Sequence, residues 1–213
     1  MAQQVAAPVA APSYTPSQQM IINAFQSETY VANRMDVQHT PIYDTVTIAQ
    51  AGAVSALATA FFTNVGPASG KSIALTNMST SQRLPAPQAF SIQSFRFRIS
   101  ENTWPADWYI LLNQFCLEFY LGEKWYQRAP LWYFSAGGGI WAATTQNASY
   151  VYNNGAPSRN GILSLAVPIV IESQMQFWAQ LNGTATVLTA TAAGGIGAIL
   201  VLLLDGLYAR GVQ

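Results

Sequence analysis

The chain has 213 residues, of which 51% are hydrophobic, 12% aromatic and only 8% charged; nine Lys plus Arg balance nine Asp plus Glu. An average soluble domain carries about 25% charged residues, so disorder driven by net charge is excluded. So is a clustered basic surface of the kind that holds nucleic acid through its phosphates. Direct binding of a genome is not expected.

Residues 1–19 hold no charge, three prolines, five alanines and four glutamines. Too little apolar surface is present there to offset the entropy of folding alone. Residues 1–27 are therefore expected to form an extended N-terminal arm, with Pro8, Pro12 and Pro16 opposing a helix. The start lacks the basic region and continuous apolar core of a signal peptide. Residues 28–213 are expected to form a single domain, within the size range of one β-sandwich.

From Ile42 onward, short β-rich runs are separated by Gly, Pro, Asn and Ser, which predicts strands at Ile42–Ala49, Leu57–Thr63, Ser72–Met78 and Phe90–Ile99. Within the last of these the apolar set changes phase, from Phe90 and Ile92 to Phe95, Phe97 and Ile99. One β-bulge reconciles the two halves and leaves Arg96 and Arg98 on the solvent side. Thr103-Trp104-Pro105-Ala106-Asp107 predicts a helix start with Thr103 as cap, running to about Asn113.

Phe115 to Leu121 alternates in the manner of a half-buried strand, Gly122-Glu123-Lys124 reads as a tight turn, and Trp125 to Gln127 returns as the partner. Ala129 to Phe134 leads into Gly137–Gly139, and Thr144–Arg159 reads as a long exposed loop. Further strands are expected at Leu163–Ile171, Gln174–Leu181 and Thr184–Thr191, with Ile199–Leu204 as the last, buried one. Between Arg159 and Asp205 the only charge is Glu172, so both faces of this region are expected to be covered. The most apolar stretch, Ala192 to Leu204, is interrupted by Gly194, Gly195 and Gly197 and is too short to cross a bilayer as a helix. Together these elements predict an all-β, antiparallel β-sandwich of jelly-roll type with one short helix. The immunoglobulin alternative lacks its Cys…Trp…Cys pattern.

Chemistry is sparse. His39 is the only histidine and Cys116 the only cysteine, so no disulfide closes within the chain and neither a metal set nor a Cys–His pair is favoured. Cys116 is expected to pack as a small hydrophobe. Glu118 and Glu123 could face each other across the hairpin as an acid pair, but solvation or pairing with Lys124 and Arg128 is the plainer reading. The glycine clusters lack the endings of phosphate-binding loops and read as places where another backbone approaches. No catalytic residue, metal ligand or cofactor is expected.

The aromatics carry more. Trp125, Tyr126, Trp132, Tyr133, Phe134 and Trp141 crowd into 17 positions, with Arg128 among them. Such residues are enriched at subunit interfaces, and an interface built from Tyr14, Trp125, Tyr126, Arg128, Trp132, Tyr133 and Trp141 is the expectation. Burial in the core is one alternative. A carbohydrate platform of Trp125, Trp132, Trp141 and Tyr150 is another.

The uncharged arm, the jelly-roll pattern and the Gly-Glu-Lys-Trp-Tyr…Ala-Pro-Leu-Trp hairpin running into Gly-Gly-Gly resemble a bacteriophage virion structural protein, either a small jelly-roll capsid or a capsid-decorating subunit. The resemblance implies many copies on a symmetric shell, contacts with itself and with other capsid proteins, and termini that lash neighbours together. It also implies location in the virion after synthesis in a host cytoplasm. The departure is the missing basic arm, since residues 1–27 hold no Lys or Arg.

Overall fold

The computed structural model describes residues 15–16, 19, 23, 35–49, 51–55, 59–100, 103–134, 162–188 and 197–211. The strands are β1 (Met35–His39), β2 (Ile42–Ile48), β3 (Ala53–Val54), β4 (Ala89–Ile99), β5 (Phe115–Leu121), β6 (Lys124–Pro130), β7 (Leu163–Ile171), β8 (Phe177–Gly183), β9 (Thr186–Val187) and β10 (Ala198–Gly211). The helix Pro105–Gln114 and the short 3-10 turns at Pro67–Ser69 and Leu131–Tyr133 connect them among the described residues. The protein is an all-β antiparallel sandwich.

The larger sheet is organised by β10, 14 residues long. One side of β10 pairs with β4, which pairs in turn with β7; the other side pairs with β1 and β2 end to end. Met35↔Gly211 and Ile48↔Ala198 lie on one unbroken register, so β1 and β2 are a single line interrupted at Thr40–Pro41. The cause is local: Pro41 has no N–H to give to the ladder. Thr40 still donates its N–H to the Gly206 carbonyl at 3.2 Å.

The bulge anticipated in β4 is present. Asp205 pairs with Ser94 and Gly206 with Ile92, leaving Gln93 as the extra residue. Phe90, Ile92, Phe95 and Phe97 all reach the core as a result. Arg96 and Arg98 share the opposite face but are half-buried there, and Arg96 is ion-paired with Asp205.

The second sheet has three strands in the order β6-β5-β8. The two inner faces meet through rings: Phe95 of β4 stands 5.2 Å from Phe119 of β5 at 68°, and within the second sheet Phe119 lies 6.3 Å from Phe177. Phe134 closes the margin 6.0 Å from Phe95. The buried hydrophobic residues of both sheets form one core, apart from a small separate cluster at Ala89 and Ala209. Edge-to-face pairs of this kind add about 0.5–1.5 kcal/mol each beyond area burial.

Several expectations are corrected. Leu57–Thr63 is not a strand over its described part: Phe61 makes an isolated bridge to Ala179, and Phe62 has φ +64°. That turn lets two consecutive phenylalanines point inward, both fully buried, which strand alternation forbids. Ser72–Met78 is a turn with one bridge, Asp44↔Thr76.

Gln174 at φ +61° delays β8 to Phe177, and only Thr186–Val187 of the next expected strand is extended among the described residues. The last strand continues to Gly211 rather than stopping at Leu204. Trp104, not Thr103, is the N-cap, and Pro105 opens the helix as expected. Pro16, Gln19 and Asn23 are helical, with the Gln19 N–H on the Thr15 carbonyl at 2.9 Å. Pro16 thus starts a helix there rather than opposing one, because a first-turn residue needs no N–H partner. Tyr14, Trp141, Tyr150, the loop 144–159 and Gly137–Gly139 lie outside the described residues.

Within the single chain, the described part of the C-terminal region is not covered on both faces. Val167 is 72% exposed and Val187 60%. The β4–β7 ladder skips from Ile92↔Ile169 to Ser94↔Ser164, so residues 165–168 bulge out of the pairing with β4. Gly197 does sit where a backbone approaches: a Cβ there would lie 1.6 Å from the Ile48 carbonyl oxygen.

Candidate functional site

The outer face of the three-stranded sheet is a nine-position tile fixed by register. Trp125, Tyr120 and Trp178 oppose one another across β6, β5 and β8; Arg128, Glu118 and Gln180 form the next row, and Pro130, Cys116 and Asn182 the third. Neighbouring strands are about 4.8 Å apart and rows about 7 Å. Tyr120 and Trp178 stack with centroids 4.8 Å apart and planes 3° off parallel.

Glu118 is the centre of this tile and is only 1% exposed. Its Oε2 accepts from Tyr120 Oη at 2.8 Å and Gln180 Nε2 at 3.0 Å. Its Oε1 accepts from Asn182 Nδ2 at 3.0 Å and Arg128 Nη2 at 2.8 Å. Burial pushes the carboxyl up, but hydrogen bonds from Gln180, Asn182 and Tyr120, with the Arg128 charge, outweigh it and hold the group below the usual glutamate range. Burial, then the bond to Glu118, pushes the Tyr120 phenol up, so it stays protonated and donates.

A carboxylate held ionised by four donors on three strands is a tie, not a general acid. It fastens β6, through Arg128, to β5 and β8. Glu123 sits in the turn after β5 and Glu118 faces Arg128, so the two carboxyls do not form an acid pair.

The strand so fastened is an edge. Among the described residues β6 pairs only with β5. Its backbone is poorly suited to adding another strand: Tyr126 is an extra residue in the ladder, Lys124 stands at one end and Pro130 at the other. Its side chains are the opposite. Trp125 is 59% exposed and Tyr126 49%; just past the strand, Trp132 is 60% and Tyr133 48% exposed. Trp132 and Tyr133 meet edge-to-face at 6.2 Å.

Burial in the core is therefore wrong for these four residues and right for Phe134, which with Leu131 fills the core on either side of Trp132 and Tyr133. Arg128, the fifth described member of the expected interface, is half-exposed and tied to Glu118. The tie itself, and the parts played by Tyr120, Gln180 and Asn182, do not show in the sequence. Only the alternation placing Glu118 opposite the apolar face hints at it.

Among the described residues no group of three His, Cys, Asp or Glu could hold a metal ion, and no helix is long and apolar enough to cross a membrane. His39 is exposed on β1 opposite Leu207. Cys116 is half-buried on the outer face of β5, away from the core its strand alternation serves. No protein-family model matches the chain, and neither curated proteins nor solved structures show a match to it.

Proposed function

We propose that this chain is a non-enzymatic structural protein of a viral shell, joined to copies of itself and to other shell proteins through the aromatic edge of β6. The observation that carries the reading is the set of exposed rings at Trp125, Tyr126, Trp132 and Tyr133, on a chain with only 8% charged residues.

A large aromatic side chain buries about 150–250 Å² when covered, so four half-exposed ones offer roughly 400 Å² per subunit. At about 25 cal/mol per Å² that is about 10 kcal/mol gross, against association costs of roughly 4–15 kcal/mol. A single such contact is weak. Repeated by symmetry around a ring or lattice, the same contact holds a stable assembly. The low charge supports this reading from the other side, since near-neutral surfaces favour association.

A carbohydrate platform would set its rings side by side. Trp125 lies near the start of β6 and Trp132 in the turn beyond its end, with a strand span of roughly 15 Å from Trp125 to Pro130 between them, which favours a contact strip over a single sugar site. Sedimentation across a concentration series tests the assembly reading: oligomers or particles support it, and a monomer at every concentration overturns it.

A further inference from the structure

Away from the β6 edge, a half-open cleft of about 320 Å³ lies where the β1–β2 corner, the segments around Met78 and Pro85, and the end of β10 meet. Its floor is apolar: Ile42, Met78, Leu84 and Pro85. Its rim is polar and includes Gln38, Thr40, Ser79, Gln88 and Tyr208. That volume has room for one small ring-shaped molecule, at the lower end of ligand-pocket sizes.

The rim groups divide into those already committed and those still open. Asn77 is committed twice, donating to the Pro41 carbonyl at 2.8 Å and accepting from the Tyr43 N–H at 3.0 Å; it fixes the cleft's shape. Tyr208 donates its hydroxyl to Gln88 Oε1, which leaves both Gln88 Nε2 hydrogens open among the described residues. Gln38 gives Nε2 to Asp36 at 2.8 Å, which leaves its Oε1 as an acceptor. The hydroxyls of Thr40 and Ser79 can each donate and accept.

Among the described residues Arg210 is the one cation on the rim, and its Nε and Nη2 lie 3.2 and 3.0 Å from Asp36 Oδ2. That carboxylate is held ionised first by Gln38 and then by Arg210. The described site is therefore electroneutral.

We infer that this cleft binds a single neutral, hydroxyl-bearing ring, such as one sugar unit or a cyclic polyol. Interleaved open donors and acceptors match hydroxyls, which do both. The apolar floor matches the C–H face of such a ring. An anion finds no unpaired charge among these rim groups, and a purely apolar ligand would strand the rim amides.

The test is a calorimetric or NMR titration of the full chain with glucose, galactose, N-acetylglucosamine and inositol, with glucose 6-phosphate as the anionic arm. Saturable binding of at least one neutral ring is expected, weakened tenfold or more by Gln88→Leu and by Thr40→Val while the thermal transition persists. Thr40→Val keeps the test usable if Gln88→Leu unfolds the protein by stranding Tyr208. Trp125→Ala should leave the binding unchanged. No saturable binding by any neutral ring, a preference for the phosphate, or binding lost in Trp125→Ala but kept in Thr40→Val overturns the inference.

Discussion

Arg128 Nη2 lies 2.8 Å from Glu118 Oε1, and the two residues are directly opposed in the β5–β6 ladder. The guanidinium is half-exposed while the carboxylate is almost wholly covered. The edge strand that carries the exposed aromatics is thus pinned by an ionised group beneath its own surface.

Removing that pin should loosen the edge first. Glu118→Ala strands the donors of Tyr120, Gln180, Asn182 and Arg128, and a loss of about 2–3 kcal/mol is expected. Glu118→Gln, which keeps the shape but not the charge, should cost less. Urea denaturation gives both values, and hydrogen exchange should show faster opening of 124–130 than of β10.

The same group predicts an acid-side dependence. Glu118 is held below its ordinary value of 4.5 in the folded protein. Its contribution is then complete above the unfolded carboxyl's pKa and is lost as the pH falls through and below it. Denaturation midpoints should be level near neutrality and drop from about pH 5 downward. Asp36, also held low, adds to the slope, so Glu118→Gln should flatten the curve without abolishing it.

Asp44 tests a tie inside the sandwich. Fully buried on the inner face of β2, it accepts from the Phe62 N–H at 2.7 Å and from Lys71 Nζ at 2.7 Å. Asp44→Ala leaves a mostly buried ammonium unpaired and should cost about 3–5 kcal/mol. Asp44→Leu with Lys71→Met should cost clearly less than the two single changes added together. A double-mutant cycle by thermal or urea denaturation reads this directly.

Two glycines should separate backbone crowding from backbone angle. Gly206→Ala places a Cβ 1.9 Å from the Ser91 carbonyl oxygen beside the β4 bulge, where only backbone could yield. Gly122→Ala meets nothing within 4 Å but holds φ +61°. Gly122→Ala should cost about 1 kcal/mol. Gly206→Ala should cost several times more and disturb the β4–β10 register, visible as lost exchange protection.

The sequence is most readable where one period runs unbroken. The alternation of Phe115 to Leu121 gives β5 to the residue, and the phase change between Ile92 and Phe95 is enough to locate the β4 bulge. It misleads where tertiary contacts override local pattern. Phe61 and Phe62 read as strand, yet a left-handed turn anchored on Asp44 takes both into the core. Met35–His39 carries little β signal and is extended because β10 continues past Asp205 to receive it.

The exposed aromatics are legible as a cluster. Their division into outward Trp132 and Tyr133 and inward Leu131 and Phe134 is not, because a 3-10 turn sets it. The Glu118 tie is hidden for a related reason: its partners are spread from Tyr120 to Asn182, and only the register of three strands assembles them.

The most direct measurement is the mass distribution of the purified chain from dilute to concentrated solution, compared with a Trp125→Ala, Trp132→Ala double variant. Both residues are exposed, so the thermal transition should move little, while each ring lost should weaken association about five- to thirtyfold. The account predicts oligomers or particles for the natural chain that fall apart in the variant. A natural chain that stays monomeric throughout, or a variant that assembles equally well, would contradict it.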